Sequence, residues 1–146
     1  MDNVIVNVER DGVLAPVELD EQAFSVDESE LERELCQMGR FIFAYGTLDA
    51  EVKMRVGRLE AEKERLGAVL DATMRARFEK AGEKATEARI KNAVVTDPTY
   101  QELVQSLIRA STDSAVMKWA MTSLTHKSDC LRALAYRETQ SMKADK

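Results

Sequence analysis

Apolar side chains recur at every third or fourth position along most of the chain, the spacing that places them on one face of an α-helix. Ser25 and Glu28 form a capping-box pair, so the sequence predicts that a first helix, helix A, begins here. Gly46 and Thr47 predict its end. The apolar stripe of helix A contains Leu31, Leu35, Met38, Ile42 and Tyr45.

A second helix, helix B, is predicted from about Asp49 to about Lys80, and Gly82 ends it. Its apolar residues follow a heptad-like spacing, which is typical of one strand of a coiled coil or of a long helical hairpin. Lys63 is the one polar interruption of this seam. The seam contains Leu48, Val52, Val56, Leu59, Leu66, Leu70 and Met74.

A short helix is predicted from Thr86 to Val95. Asp97 and Pro98 then mark the start of helix D, because Asp is a good N-cap and Pro fits the first helical position. Helix D extends to about Glu138 and carries two apolar seams, which indicates more than one partner helix. The first seam contains Leu103, Leu107, Ala110, Met117, Met121, Leu124 and Leu131, and the second contains Val104, Ile108, Ala115 and Trp119.

The predicted lengths of helices B and D decide the fold class. Both reach about 30–40 residues, whereas an average helix has about 11–12. Such a helix cannot bury its apolar face within a small domain without an antiparallel mate, a neighbouring subunit, or both. We therefore expect an all-α fold in which a shorter N-terminal helix precedes a long antiparallel helical hairpin, and we expect a homo-oligomer.

The N-terminal segment, residues 1–24, differs in pattern from the rest of the chain. Apolar and polar residues alternate from Val4 to Val8, and Asp11-Gly12 separates this run from Val13-Leu14, which favours a small β-hairpin. A lone two-stranded hairpin is only marginally stable, so it must pack on the helices or remain mobile. The sequence thus divides into an acidic N-terminal segment, residues 1–24, and a helical body, residues 25–146.

Composition agrees with a soluble folded protein. The 146 residues are 45% hydrophobic and 32% charged. No apolar run approaches the ~18–20 residues that cross a bilayer, and the N-terminus lacks the basic region of a signal peptide. We therefore expect a cytoplasmic location without membrane contact. Cys36 and Cys130 are far apart in sequence, and we expect them to be buried free thiols.

The distribution of charge matters more than its sum of -5. Residues 1–40 hold 11 acidic and 3 basic side chains, a net charge of -8, and residues 41–146 hold 15 and 18, a net charge of +3. This asymmetry argues against nucleic-acid binding by the whole surface, but it allows binding by a local basic groove.

Catalytic and metal-binding patterns are weak. The single histidine, His126, lies near Thr125 and Ser128 on one predicted helix, whereas a catalytic triad draws its groups from different elements. One histidine and two distant cysteines cannot form a zinc site. The run AGEKAT lacks the first glycine, the adjacent Gly-Lys pair and the preceding strand of a phosphate-binding loop. We expect no enzyme activity, no catalytic residues, no metal and no cofactor.

The strongest functional signal is the basic stretch from Arg75 to Lys91. It carries six basic and three acidic side chains, a net charge of +3, and Phe78 within it could stack on a base. A solvated helix surface explains such a stretch equally well. In an oligomer, however, several weak cationic patches would act at high effective concentration. The candidate phosphate-binding residues are Arg75, Arg77, Lys80, Lys84, Arg89 and Lys91.

Taken in order, the elements resemble the UvsY-like recombination mediators of bacteriophages. The resemblance spans about Ser29 to Glu138. It runs through SELERELCQMGRFIFAYGTLDAEVKMRVGRLEAEKE, the basic MRARF, and EKATEARIKNAVVTDPTYQEL, and it closes with LTHKSDCLRAL. The order and spacing of these features carry the resemblance, since none of them alone is diagnostic. The region before Asp27 is unlike the start of the family and has more β character.

The resemblance implies a helical protein that forms ring-like homo-oligomers and binds single-stranded DNA. It also implies a mediator, not an enzyme, that displaces single-strand binding protein and helps to load a RecA-like recombinase in phage recombination and repair. The basic DNA-binding pattern of the family falls on Arg75 and Arg77, and the other four cations are candidates from charge and placement. Residues 25–146 would then be the oligomerisation and DNA-binding domain, in the host cytoplasm if the chain is phage-encoded.

Two alternatives remain open on the sequence. A helical protein-interaction adaptor without nucleic-acid affinity would show the same seams and exposed charge. An inhibitor of a host protein is a variant of this idea, in which the acidic region at positions 1–40 mimics nucleic acid.

Overall fold

The computed structural model describes residues 4–144, and it is mostly helical with a short β-hairpin at the start. This confirms the predicted helical character, the long helices and the N-terminal hairpin. The elements are β1 (Ile5–Arg10), β2 (Val13–Glu18), 3-10 turns at Glu21–Ala23 and Glu28–Glu30, and three α-helices, α1 (Leu31–Lys80), α2 (Glu87–Val95) and α3 (Pro98–Ala144).

The hairpin turn is built by Asp11 and Gly12, whose φ angles are 52° and 77°. Two positive φ angles are the requirement of the two-residue turn that matches strand twist, and Asp-Gly supplies them at low cost. The strands pair antiparallel, from Arg10 opposite Val13 beside the turn to Ile5 opposite Glu18 at the other end. Alternation along β1 buries Val6 and Val8, so one face of the hairpin packs inward.

The prediction of two helices separated at Gly46-Thr47 is wrong, because α1 is one continuous helix of 50 residues. The hydroxyl of Thr47 donates to the carbonyl of Phe43 at 2.9 Å, one turn earlier, and so bonds within the helix. An isolated glycine costs only about 1 kcal/mol in a helix, and the packing of the residues around it outweighs this cost. The predicted shorter N-terminal helix is therefore the first part of α1 and not a separate element.

The start of α1 also differs from the prediction. The Ser25–Glu28 capping box is absent, since the Asp27 carboxylate accepts a hydrogen bond from the Ser29 amide at 3.0 Å. Asp27 thereby caps the 3-10 turn that leads into α1. The hydrogen bonds from the Ser29 side chain and amide lower the pKa of Asp27. At the start of α3 the prediction is confirmed, because the Asp97 carboxylate accepts from the amide of Tyr100 at 3.1 Å and Pro98 is the first helical residue.

The chain divides into two compact units, the first formed by the described parts of Met1–Lys53 and Asp113–Lys146, and the second by Met54–Thr112. In the first unit the hairpin, the start of α1 and the second part of α3 share one core, so the hairpin packs on the helices and residues 4–24 are not a separate body. The core consists of Val6, Val8, Leu19, Ala23, Leu31, Met38, Tyr45, Val52, Met117, Ala120, Leu124 and Leu131.

A buried ion pair crosses this core. Lys127 Nζ lies 2.6 Å from Glu34 Oε2, which has no other hydrogen-bond partner among residues 4–144, and the lysine side chain is only 1% exposed. The same ammonium donates to the carbonyl of Gln22 at 3.2 Å and lies 5.5 Å from the centre of the Phe41 ring. One side chain of α3 is therefore bonded both to α1 and to the segment that follows the hairpin.

Three further contacts fix the N-terminal segment. The hydroxyl of Tyr45 accepts from the Asp20 amide at 2.8 Å, and burial raises the pKa of Tyr45. Its ring meets Phe24 edge to face at 5.3 Å. Arg10 forms a fork with the Glu51 carboxylate, with the shortest bond at 3.0 Å. The described part of the N-terminal segment thus depends on α1 for its placement.

The second unit contains the rest of α1, all of α2 and the start of α3. Ile90 and Val94 of α2 and Ala110 of α3 are its buried apolar residues. The predicted seam of helix B is half-buried here from Val56 to Met74, and the ring of Tyr100 comes within 3.6 Å of a Cβ built on Gly67. The principal seams of both long helices therefore face inward, as predicted.

Other predicted apolar positions lie on the surface. The second seam of α3 leaves Ile108 53% and Trp119 80% exposed, and the stripe of helix A leaves Leu35 and Ile42 exposed. Cys36 and Cys130 are exposed free thiols, so the prediction that they are buried is wrong. None of the helices formed by residues 4–144 has the length and apolar character needed to cross a membrane.

Candidate nucleic-acid interface

The basic stretch occupies the end of α1, the turn at Gly82 and the start of α2, all within the second unit. The amide of Glu83 donates to the carbonyl of Phe78, and the amide of Gly82 donates to that of Glu79, both at 3.0 Å. These are the two hydrogen bonds of a Schellman motif at the end of a helix. The motif needs a left-handed residue after the helix, and Gly82 fills this position with a φ of 66°. Glycine is required here, and the turn brings α2 back towards α1.

Arg75 is held by two carboxylates. Its Nη1 and Nη2 atoms bond to both oxygens of Glu87 at 2.9 and 2.8 Å, and its Nε bonds to Asp71 at 2.7 Å. The hydrogen bonds that Arg75 donates to Glu87, followed by those to Asp71, raise the pKa of Arg75, and the bonds to Glu87 lower the pKa of that carboxylate. Arg75 therefore links α1 to α2, and its charge is neutralised within the unit.

Arg89 is also engaged. It forms an ion pair with Glu83, donates to the carbonyl of Lys84 at 3.3 Å, and its guanidinium carbon lies 4.6 Å from the centre of the Phe78 ring. Phe78 is half-buried. One face of this ring is thus covered by Arg89, so Phe78 packs within the unit and is not an open platform for a base.

The other four candidate cations are different. Arg77, Lys80, Lys84 and Lys91 are exposed, and their side chains make no hydrogen bond or ion pair within residues 4–144. An exposed cation without a carboxylate partner keeps its full charge for an incoming anion. The candidate site therefore separates into two internally paired arginines and four cations that remain available.

The six candidate cations do not form a single row. Arg75 and Arg77 are about 200° apart around α1 and point to different sides of the helix. Arg77 and Lys80 share a side, where they line a shallow depression with Ala72, Thr73 and Ala76. Lys84 lies beyond the end of α1, in the connection to α2. Lys91 lines another depression beside Asp71 and Glu87, so its surroundings are more acidic.

Two features escaped the sequence analysis. The pairing of Asp71 with Arg75 has a readable i,i+4 signal, but Glu87 is distant in sequence and is brought close only by the turn. Trp119 was predicted on the second apolar seam of helix D, and its indole is exposed in the first unit beside Lys118. An exposed indole next to a lysine is a surface on which a base can stack, and the polar residues at 122 and 123 were the available signal.

The single histidine and the possible metal ligands were considered above as candidates for catalysis or metal binding. His126 is exposed on α3, and the neighbouring Thr125 hydroxyl donates to the carbonyl of Met121 at 3.0 Å. Within residues 4–144 no group of three or more His, Cys, Asp or Glu side chains is placed to hold a metal ion.

Comparison of the chain with protein-family models, with curated proteins and with solved structures found no match. The functional assignment consequently depends on the surface chemistry of the basic stretch and on the resemblance described above.

Proposed function

We propose that this chain is a single-stranded DNA-binding recombination mediator that assists the loading of a RecA-like recombinase. The observation that carries the proposal is the set of four exposed cations, Arg77, Lys80, Lys84 and Lys91, that no carboxylate neutralises within residues 4–144. Cations of this kind bind a phosphate chain by releasing its counterions and need no particular base sequence. The resemblance to UvsY-like mediators supplies the biological role, including displacement of single-strand binding protein.

We assign different roles to the six candidate residues. Arg77 and Lys80, which share one side of α1, and Lys84, in the connection to α2, would contact phosphates, with Lys91 as a flanking contact. Arg75 and Arg89 keep the turn in shape through Glu87 and Glu83, and they would reach a phosphate only by exchanging these carboxylates for it. We therefore shift the main DNA contacts from Arg75 to Arg77 and its lysine neighbours.

Four cations on one chain give weak, salt-sensitive binding, so the proposal includes a homo-oligomer, with the ring-like form implied by the resemblance. Two observations support self-association. The second seam of α3 is exposed at Ile108 and Trp119, and the stripe at the start of α1 is exposed at Leu35 and Ile42. Apolar helix positions that find no cover within one chain indicate a protein partner. The antiparallel pairing of the two long helices belongs to the same proposal.

A test compares two triple variants with equal changes in net charge. Arg77→Ala/Lys80→Ala/Lys84→Ala removes three of the available cations, and Arg40→Ala/Arg137→Ala/Lys143→Ala removes three exposed cations elsewhere. Fluorescence anisotropy with a labelled single-stranded oligonucleotide should show that the first variant binds on the order of tenfold or more weakly than the second. Equal affinities at the same salt, with helicity and mass unchanged, would contradict the proposed site.

The second candidate function is a protein-interaction adaptor or inhibitor. The acidic N-terminal region favours it, as do the exposed apolar residues of the hairpin, among which Val13 is 66% exposed. Deletion of residues 1–24 cannot test this idea, because it would remove Val6, Val8, Leu19 and Ala23 from the core. Glu21→Gln/Glu28→Gln/Glu30→Gln removes acidic charge from the surface instead. Loss of partner binding by this variant, with no oligonucleotide binding by the unmodified chain, would favour the adaptor.

A further inference from the structure

The first unit carries an exposed apolar strip on α1 that is separate from the core. Leu35, Ile42 and Phe43 are 37%, 43% and 79% exposed. The core residues of α1, such as Met38 and Tyr45, lie roughly 100° further around the helix. We call this strip the α1 outer face, and it consists of Leu35, Gly39, Ile42, Phe43, Gly46 and Ala50, all within an arc of about 100°.

No contact among residues 4–144 requires glycine at the two glycine positions of the α1 outer face. Neither has a positive φ, and a Cβ built on Gly39 or Gly46 would meet nothing within 4 Å. Glycine in a helix interior costs stability relative to alanine. The two glycines lie seven positions apart on one exposed face. Their cost in helix stability is explained if the backbone of another helix packs closely against this face.

The α1 outer face is complementary to itself. Its residues are arranged symmetrically about a point between Ile42 and Phe43, so an identical helix running in the opposite direction places Gly39 opposite Gly46 and Leu35 opposite Ala50. Large residues then meet small ones at the ends, and the two glycine pairs allow close approach on both sides of the centre. Ile42 and Phe43 lie at the two edges of the face, so the two Phe43 rings meet beside the symmetry axis.

The charges at the ends of the strip agree with the same register. In the antiparallel arrangement Glu32 of one copy lies opposite Lys53 of the other, and the symmetry repeats this pair at the far end. Glu32 is exposed, and the Lys53 side chain is 63% exposed although it contacts Asp49 at 2.6 Å. A parallel arrangement would instead place each of these residues beside its own copy, with like charges opposed.

We propose that a second copy of this chain binds the α1 outer face, antiparallel, about a two-fold axis at Ile42 and Phe43. The proposal rests on the self-association included in the proposed function, and it names the surface that brings copies together. A two-fold interface uses the same patch on both partners and is complete with two copies. A larger ring would need a second surface, for which the exposed seam of α3 is available.

A glycine variant separates loss of pairing from loss of folding. Gly39→Leu/Gly46→Leu replaces glycine by a good helix former, so the single chain should keep or raise its Tm while the bulk prevents close approach. Sedimentation equilibrium should show a self-dissociation constant at least roughly tenfold larger than that of the unmodified chain. Ala44→Leu, on another side of α1 and also exposed, is the matched control and should leave the constant unchanged.

A charge exchange tests the register. Glu32→Lys and Lys53→Glu should each weaken pairing several-fold, since either change opposes like charges twice, and the double exchange should restore it. Single variants that pair as well as the unmodified chain, or a double variant no better than the singles, would overturn the antiparallel register.

A cross-link gives a direct readout. In a background of Cys36→Ser and Cys130→Ser, Phe43→Cys places the two introduced thiols beside the axis, whereas Ala44→Cys points them away. Mild oxidation should give covalent dimers rapidly for the first variant only, and equal rates would overturn the proposal.

The outcomes for the interface and for the proposed function can be told apart. If the glycine variant loses pairing but keeps DNA affinity, the interface is supported, and the idea that pairing strengthens DNA binding is wrong. If pairing is normal and no oligonucleotide binds, the proposed function alone fails.

Discussion

The two units of this chain differ in how they use their side chains. The first unit has a continuous core that includes a lysine and a glutamate paired away from water. The second unit buries few apolar residues fully, and the ion pairs of Arg75 and Arg89 in this unit lie on the surface at the candidate DNA site. We conclude that the first unit provides most of the stability, and that the second provides charge that other molecules can reach. Truncation of buried residues should therefore cost more stability in the first unit, and removal of exposed cations in the second unit should weaken DNA binding.

The largest effect is expected at the buried ion pair. Lys127→Ala leaves the Glu34 carboxylate buried without its partner and removes the bond to Gln22, so the free energy of unfolding should fall by about 3–5 kcal/mol. The double variant Lys127→Met/Glu34→Leu removes both charges and should recover much of this loss. Urea unfolding followed by circular dichroism measures both. If Lys127→Ala loses less than about 1 kcal/mol, the pair does not organise the core.

A pair of leucine truncations compares the two cores directly. Leu131 is 0% exposed in the first unit, and Leu70 is half-buried in the second. Leu131→Ala should cost about 3–4 kcal/mol of unfolding free energy, and Leu70→Ala about 1–2 kcal/mol. Thermal and urea unfolding of both variants give the comparison. Equal losses would show that the second unit is packed as tightly as the first.

At the candidate site Arg75 and Arg77 should differ in their effect on DNA binding. Arg77→Ala should weaken oligonucleotide binding several-fold, because this exposed cation has no carboxylate partner within the part of the chain that the structure describes. Arg75→Ala should change binding less, because Asp71 and Glu87 already neutralise this arginine. Anisotropy titrations at one salt concentration compare the two variants. If the combined variant Arg75→Ala/Arg77→Ala keeps full affinity, neither arginine contacts DNA.

The smallest effect is expected from the surface link between Arg75 and Glu87. The pKa of Glu87 is lowered by Arg75, so its contribution to stability is present above the ordinary carboxylate pKa and is lost as the pH falls through the lowered value. Unfolding free energies at pH 7 and pH 3 should therefore change slightly less for Glu87→Gln than for the unmodified chain. A larger pH dependence in the variant would contradict the assigned cause.

Local signals in the sequence predicted a substantial part of this fold. Asp11-Gly12 predicted the hairpin turn, and Asp97-Pro98 predicted the start of α3. The spacing of apolar residues predicted which faces of the long helices point inward. The continuity of α1 through Gly46 was not predictable from local pattern, because packing on both sides of the glycine decides it. Gly46 does not end a helix, and we assign to it a role in contact with a second copy of the chain.

The candidate site shows the same limit. The six cations can be located in the sequence, but the sequence does not show which of them are neutralised. Glu87 reaches Arg75 only because the chain turns at Gly82. Arg89 and Phe78 belong to different helices and likewise meet only in the folded unit. Charge along the chain can be counted from sequence, whereas the charge available to a ligand requires the fold.

The most direct test of the account is an anisotropy titration of the unmodified chain with a labelled single-stranded oligonucleotide at two salt concentrations, with the mass in solution measured under the same conditions. We predict an oligomer whose binding constant falls with salt, with a logarithmic slope of about -3 for each chain that engages its four available cations. A monomer that leaves the anisotropy of the oligonucleotide unchanged at low salt would contradict the proposed function.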